Sequence, residues 1–122
     1  MSKYDVNKFK QVTVALNTPF QPDGSVDLKA VRAVVNYFYN KGIRQMYVCG
    51  STGEGFLLDT QERMAVTETV VEEAAGRMNI IVHVGCPDTR HSEELARHAE
   101  KAGADATSAV PCVYYRMGEE SV

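Results

Sequence analysis

The sequence predicts an α/β fold built on a parallel sheet, and three observations support this prediction. Four short apolar runs rich in β-branched residues recur about every 26 to 34 residues, each followed by a segment with helical periodicity. The runs are apolar almost throughout, which is typical of parallel strands covered on both faces. No linker-like stretch interrupts them. Four such units fit either a doubly wound sheet or half of a (β/α)8 barrel.

The first unit is predicted from residues 12–16, an apolar strand that ends before Pro19 because proline has no N–H for a ladder. Turn-forming residues follow at 22–24. A helix should begin between Ser25 and Asp27 and end at a glycine that can adopt a left-handed conformation. Its predicted apolar face and closing glycine are Leu28, Val31, Val35, Phe38 and Gly42.

The second unit is predicted to have a strand at residues 46–49 and a helix capped by Asp59 or Thr60. Asp59 and Glu62 have the spacing of a capping box, in which each side chain bonds the other residue's backbone N–H. The predicted buried residues and closing glycine of this helix are Val66, Val70, Ala74 and Gly76.

The third unit is predicted to have a strand at residues 80–84 and a helix capped by Thr89 and closed by Gly103. Its apolar face is predicted to comprise Leu95, Ala99 and Ala102. A fourth strand is expected at residues 106–110, and residues 117–121 resemble the start of a further helix.

Composition excludes several classes of protein. With 44% hydrophobic and 24% charged residues, the chain is expected to fold and not to be disordered. The formal net charge of −3 gives no reason to expect a nucleic-acid partner. No apolar run approaches the roughly 18 residues that span a bilayer, so no membrane partner is expected. The polar N-terminus and three widely spaced cysteines (Cys49, Cys86 and Cys112) predict a cytoplasmic protein with reduced thiols.

The loop that follows the second strand is the strongest candidate for a binding site. Residues 50–55 (GSTGEG) contain three glycines, which permit close backbone approach, and the adjacent hydroxyls of Ser51 and Thr52. Hydroxyl and backbone N–H donors together suit a small anion such as a carboxylate. Ligands of parallel α/β folds bind at the carboxyl ends of strands, where this loop lies. A tight turn with solvated hydroxyls is the alternative.

Four segments carry a resemblance to a known family. Residues 47–54 (YVCGSTGE) resemble the signature of the dihydrodipicolinate synthase/N-acetylneuraminate lyase family, and residues 18–20 (TPF) resemble the exit of its first strand. Residues 83–86 (HVGC), residues 108–110 (SAV) and the serine at position 51 are closer to the lyase branch. The resemblance covers essentially the whole chain in register.

The resemblance implies a class I aldolase in which a lysine forms an imine with pyruvate or another 2-oxo acid, without a metal or organic cofactor. In the lyase branch the reaction releases pyruvate and N-acetylmannosamine from N-acetylneuraminate. The implied fold is a TIM (β/α)8 barrel. Residues 1–122 are then its N-terminal half, a partial domain truncated after the fourth strand. The complete protein is expected to be a homotetramer.

The resemblance also implies roles for particular residues. The Ser/Thr pair that holds the pyruvate carboxylate corresponds to Ser51 and Thr52. Tyr114 corresponds to a tyrosine that joins a proton relay across a subunit interface. Residues 110–113 (VPCV) depart from the usual Thr-Pro there, so packing remains an alternative role for Tyr114 and Tyr115. Glu54 is expected to brace the loop.

The family's Tyr-Asn-x-Pro stretch and its imine-forming lysine have no counterpart in these 122 residues. All six lysines are predicted to lie in the tail or on solvated helix surfaces: Lys3, Lys8, Lys10, Lys29, Lys41 and Lys101. Two alternatives therefore stay open: a dihydrodipicolinate synthase-like or other 2-oxo-acid aldolase, and a catalytically silent fragment. A metal site at His83, Cys86 and Cys112 is disfavoured, because it would need a fourth ligand.

Overall fold

A computed structural model describes residues 5–111, 118 and 120 of the chain. A short 3-10 turn precedes an alternating series of strands and helices. Its elements are β1 (Val14–Ala15), α1 (Leu28–Asn40), β2 (Gln45–Val48), α2 (Thr60–Ala74), β3 (Asn79–His83), α3 (Thr89–Ala102) and β4 (Ala106–Ser108).

The four strands form one parallel sheet in the order β1-β2-β3-β4. Each strand lies beside its predecessor in the chain, with Met46 paired to Val14 on one side and to Ile80 on the other. A doubly wound sheet reverses its strand order at a switch point, whereas a barrel adds its strands in one direction. The described strands follow the barrel pattern, which confirms the predicted fold class.

The hydrophobic core lies between the sheet and a layer of helices. Alternate strand residues face the helices and are almost fully buried, such as Met46 and Val48 in β2 and Ile80 and Val82 in β3. Helix α2 contacts both α1 and α3, so the helices form a continuous layer. Most of the predicted inward-facing helix residues lie in this core: Val31, Val35, Val66, Val70, Ala74, Leu95 and Ala99 are buried and Phe38 packs against them. The prediction was wrong for Leu28, which is exposed at the first turn of α1, and Ala102 is only half-buried at the end of α3.

Several predicted element ends are displaced. Strand β1 is shorter than predicted, although the Leu16 N–H still donates to the Tyr47 carbonyl 2.9 Å away. Asp88, and not Thr89, caps α3, because its carboxylate accepts a hydrogen bond from the His91 N–H. The end of α2 is formed by Ala75 in a left-handed conformation, one residue before Gly76. The capping box of Asp59 and Glu62 is present as predicted.

The amino ends of the strands are closed by a polar network. The buried Gln45 amide donates to the Phe9 carbonyl at 3.2 Å and to the Thr13 hydroxyl, and it accepts from Asn79 at 3.3 Å. The ammonium of Lys8 pairs with the Asp105 carboxylate at 2.6 Å, next to the start of β4. The segment before β1 is thereby joined to β4 across the sheet.

Within the part of the chain that the structure describes, the helices are too short and too polar to traverse a lipid bilayer.

Candidate functional site

Three polar or aromatic side chains meet on the face of the sheet opposite the helices, near the carboxyl ends of the strands. The Tyr47 hydroxyl donates to the Ser108 hydroxyl at 3.1 Å, across the intervening strand β3. His83 pairs in register with Ser108, and its ring centroid lies 6.1 Å from that of Tyr47 and 5.5 Å from that of Phe56. This end of the inner face is therefore a partly polar surface bordered by the loop after β2.

That loop turns sharply at two positions that are not glycines. Cys49 and Glu54 have φ angles of 59° and 56°, in the left-handed region that disfavours residues with a Cβ. The backbone is closed on itself by hydrogen bonds from the Glu54 N–H to the Ser51 carbonyl at 3.0 Å and from the Gly55 N–H to the Gly50 carbonyl at 3.1 Å. Backbone strain at a strand exit commonly accompanies a functional site.

The loop's glycines are needed for close approach and not for unusual backbone angles. A Cβ at Gly55 would lie 1.9 Å from the Cys49 carbonyl oxygen, and one at Gly53 would lie 2.9 Å from the Leu16 carbonyl oxygen. The buried Thr18 hydroxyl donates to the Gly53 carbonyl at 2.7 Å. The exit of β1 therefore packs against the loop and bonds its backbone.

The two predicted carboxylate-binding residues are both exposed within this loop. Ser51 lines a cavity of about 180 Å³ together with Glu54, Gly55, Phe56 and Leu57. Thr52 is not among the residues that line this cavity. The arrangement places two adjacent hydroxyl-bearing residues at the carboxyl end of the sheet, on a backbone fixed by Thr18.

A buried arginine beneath the strand ends was missed from the sequence. Arg63, in the first turn of α2, is only 4% exposed. Its guanidinium donates to the Gly85 carbonyl at 2.9 Å, to the His83 carbonyl, and to the Cys86 sulfur at 3.2 Å. Its position three residues before Val66 puts it on the predicted apolar face of the helix, and that placement is the signal that could have identified it.

The electrostatics of the strand ends follow from burial and from this arginine. Burial raises the pKa of the Cys49 thiol to about 11, although the Arg63 charge and a hydrogen bond with Thr67 act in the opposite direction. Burial, and then the Arg63 charge, lower the pKa of His83. Cys49 is therefore a neutral thiol at physiological pH, unsuited to act as a nucleophile.

The other sequence predictions concern lysines, metals and Tyr114. The five lysines within the described residues are exposed and lie outside the strands: Lys8, Lys10, Lys29, Lys41 and Lys101. No group of three His, Cys, Asp or Glu side chains placed to hold a metal occurs in residues 5–111. Tyr114, Tyr115 and Cys112 lie outside the described residues.

Comparisons with known proteins agree on one family. The profile of the Dihydrodipicolinate synthetase family matches residues 8–122. An N-acetylneuraminate lyase of Escherichia coli is 44% identical over 109 residues, which are 89% of this chain and 37% of that protein. The chain thus spans under two fifths of the length of the curated relatives that it matches.

Solved structures show the same relationship. A catalytic lysine mutant of the Ruminococcus gnavus sialic acid aldolase superposes with a TM-score of 0.90 at 36% identity, covering 97% of this chain and 39% of that one. YagE, a prophage protein of Escherichia coli K12 solved in complex with pyruvate, superposes with a TM-score of 0.83 at 26% identity, covering 89% and 37%. The family profile matches nearly the whole length of the chain, and the fold superposes on those of these relatives. The chain therefore belongs to the dihydrodipicolinate synthetase family.

Proposed function

We propose that this chain supplies the carboxylate-binding half of the active site of an N-acetylneuraminate lyase. Residues 1–122 would then be the first half of a (β/α)8 barrel, and the imine-forming lysine would come from the other half. The observation that carries the proposal is the fixed loop after β2, which presents Ser51 and Thr52 at the carboxyl end of the sheet. The 44% identity to a curated lyase favours this branch of the family.

The proposed role of Ser51 and Thr52 is to hold the carboxylate of the 2-oxo acid. Hydrogen bonds to a charged acceptor are stronger than those between neutral groups, and the loop needs little reorganisation to make them, because its backbone is already closed by internal hydrogen bonds. Holding the carboxylate orients the neighbouring ketone toward the incoming amine. These residues therefore contribute positioning, and the lysine contributes the covalent chemistry.

In the proposed reaction the lysine amine adds to the ketone of N-acetylneuraminate and water leaves, which gives a protonated imine. The bond between the carbons α and β to the imine then breaks, its electron pair forms the enamine as the iminium cation is neutralised, and a proton leaves the β-hydroxyl, which becomes the carbonyl of the departing aldehyde. N-acetylmannosamine departs, the resulting enamine is protonated on carbon, and water releases pyruvate from the lysine. Retention of the carboxylate by Ser51 and Thr52 keeps the three-carbon fragment in place throughout.

The remaining expectations belong to the same proposal. Tyr114 would take part in a proton relay across a subunit interface of a homotetramer, and the protein would act in the cytoplasm. Sedimentation analysis of the protein expressed from its whole reading frame would test the tetramer.

Borohydride trapping tests the proposed function most directly. The protein expressed from its whole reading frame is incubated with pyruvate and borohydride, and its mass is measured before and after peptide digestion. We expect one reduced pyruvyl adduct, on a lysine other than the six in this chain. Release of pyruvate from N-acetylneuraminate, followed with lactate dehydrogenase and NADH, provides the activity measurement.

Different outcomes separate the alternatives. A pyruvyl adduct without cleavage of N-acetylneuraminate would favour a dihydrodipicolinate synthase-like or other 2-oxo-acid aldolase. The absence of any adduct would favour a catalytically silent fragment. An adduct on one of the six lysines of this chain would refute the proposed division of the site between two halves of a barrel.

A further inference from the structure

The buried guanidinium of Arg63 lies near the strand exits at which the carboxylate site is proposed. It extends from α2 to the exit of β3, where it bonds the carbonyl of the last strand residue, His83, and that of Gly85 in the following loop. It also interacts with the thiol of Cys49, two residues before Ser51. One side chain therefore connects the loop after β2 with the exit of β3.

Among the described residues, the partners of this cation are neutral. They are the His83 and Gly85 carbonyls, the Cys86 and Cys49 thiols and the His83 ring, and within the same residues the buried Nε atom has no hydrogen-bond partner. None of the ion pairs found within residues 5–111 includes Arg63. A buried charge without a counter-ion is costly, so its retention calls for an explanation beyond packing.

The positive charge is fixed, and it acts at the strand exits. Arginine stays protonated at every pH at which proteins are folded. The nearest titratable ring, His83, has a pKa lowered by burial and by Arg63, so it stays neutral and adds no second cation. Arg63 is thus a buried, permanent positive charge at the exits of β2 and β3.

We propose that Arg63 is a positioning residue for the carboxylate of the 2-oxo acid. It holds the backbone at the exit of β3 and contacts the Cys49 thiol next to the loop that carries Ser51 and Thr52, and its charge favours an anion bound by that loop without touching the anion. This inference rests on the proposed function, because it presupposes that the loop binds a carboxylate. It predicts that Arg63 discriminates between charged and uncharged forms of the same ketone.

Two substitutions separate charge from hydrogen bonding. Arg63→Gln keeps amide donors for the His83 and Gly85 carbonyls but removes the charge, whereas Arg63→Lys keeps the charge with fewer donors. Arg77→Met serves as a matched control, because it removes an arginine that bonds the Glu73 and Ala74 carbonyls at the opposite end of α2. Circular dichroism establishes whether each variant is folded.

The experiment measures the concentrations of pyruvate and of methyl pyruvate that half-saturate borohydride trapping. Pyruvate carries the carboxylate, and methyl pyruvate presents the same ketone without the charge. The preference for pyruvate is the ratio of the half-saturating concentration of methyl pyruvate to that of pyruvate. We expect Arg63→Gln to lower this ratio at least tenfold and to change the trapping rate at saturating pyruvate less than threefold. Arg63→Lys should restore most of this preference, and Arg77→Met should keep that of the wild type.

If Arg63 has a purely structural role, Arg63→Gln would weaken the binding of pyruvate and of methyl pyruvate equally and leave the preference unchanged. That result would overturn the inference. If Arg63→Gln does not fold, Arg63→Lys decides the matter, since loss of the preference in a folded, charged variant contradicts a role for charge. Failure of the proposed function is distinguishable, because the wild-type protein would then form no pyruvyl adduct, and the inference would fall with it.

Discussion

The polar groups at the two ends of the sheet differ in their partners and in their exposure. At the amino end, Gln45 and Asn79 bond each other and the backbone of the segment before β1, and Lys8 pairs with Asp105. At the carboxyl end, Ser51 and Thr52 are exposed, and the buried Arg63 bonds the neutral carbonyls of His83 and Gly85. The described polar groups of the amino end thus bond one another, whereas we propose that the carboxyl end binds an external anion. Substitutions at the amino end should therefore lower stability, and substitutions at the carboxyl end should lower binding.

The largest expected effect comes from Gly55→Ala, which tests whether the carboxyl-end loop has only one conformation. The added Cβ would meet the Cys49 carbonyl oxygen at 1.9 Å, so the backbone must move. We expect a loss of about 3 kcal/mol in the free energy of unfolding, measured with urea, together with loss of pyruvate trapping. Gly24→Ala, where φ is +90° and no atom lies within 4 Å of the new Cβ, should cost only about 1 kcal/mol. Equal losses would contradict the close-approach argument.

Thr52→Val should affect binding and leave stability almost unchanged. It removes a hydroxyl proposed to bond the carboxylate, so the affinity for pyruvate should fall by about 1.5–3 kcal/mol, roughly ten- to hundredfold. Calorimetric titration of the protein expressed from its whole reading frame provides the measurement. Thr107→Val, at an exposed threonine of β4, should leave the affinity at the wild-type level. An unchanged affinity in Thr52→Val would refute the assignment.

Gln45→Leu, at the amino end, should lower stability and leave pyruvate binding unchanged. The substitution removes a buried amide that bonds Phe9, Thr13 and Asn79, so we expect the free energy of unfolding to fall by about 1–3 kcal/mol. Pyruvate affinity should not change, because the site lies at the other end of the strands. Gln21→Leu, at an exposed glutamine, should alter neither quantity. Weakened pyruvate binding by Gln45→Leu would break the proposed separation between the two ends.

The smallest effect concerns the pH dependence contributed by Cys49. Its pKa rises from about 9 in the unfolded chain to about 11 in the folded protein. Above pH 9 the unfolded chain releases a proton that the folded chain keeps, so this contribution to stability is lost as the pH rises from 9 to 11. At pH 10 the loss should be about 1 kcal/mol. Urea unfolding at pH 8 and pH 10 should show a shallower decline in Cys49→Ala than in the wild-type protein.

Local patterns in the sequence were enough to predict the repeating units, the helix faces and the capping box of Asp59. These features depend on residues within a few positions of one another. The contact between Thr18 and Gly53 spans 35 positions and has no local signature. Three glycines indicated a sharp loop, yet its left-handed residues are Cys49 and Glu54, because the glycines serve close approach instead. The burial of Arg63 was not predicted, because an arginine near the start of a helix is ordinarily exposed to solvent.

The ion pair of Lys8 and Asp105 joins residues 97 positions apart. During synthesis the first residues of the chain therefore lack this partner until almost the entire described segment has left the ribosome. This contact between the beginning of the chain and the start of β4 can therefore form only after the first three strands have emerged. A nascent chain stopped before residue 105 should thus lack protection from hydrogen exchange at the amino end of β3, whose Ile80 N–H donates to the Asp105 carboxylate.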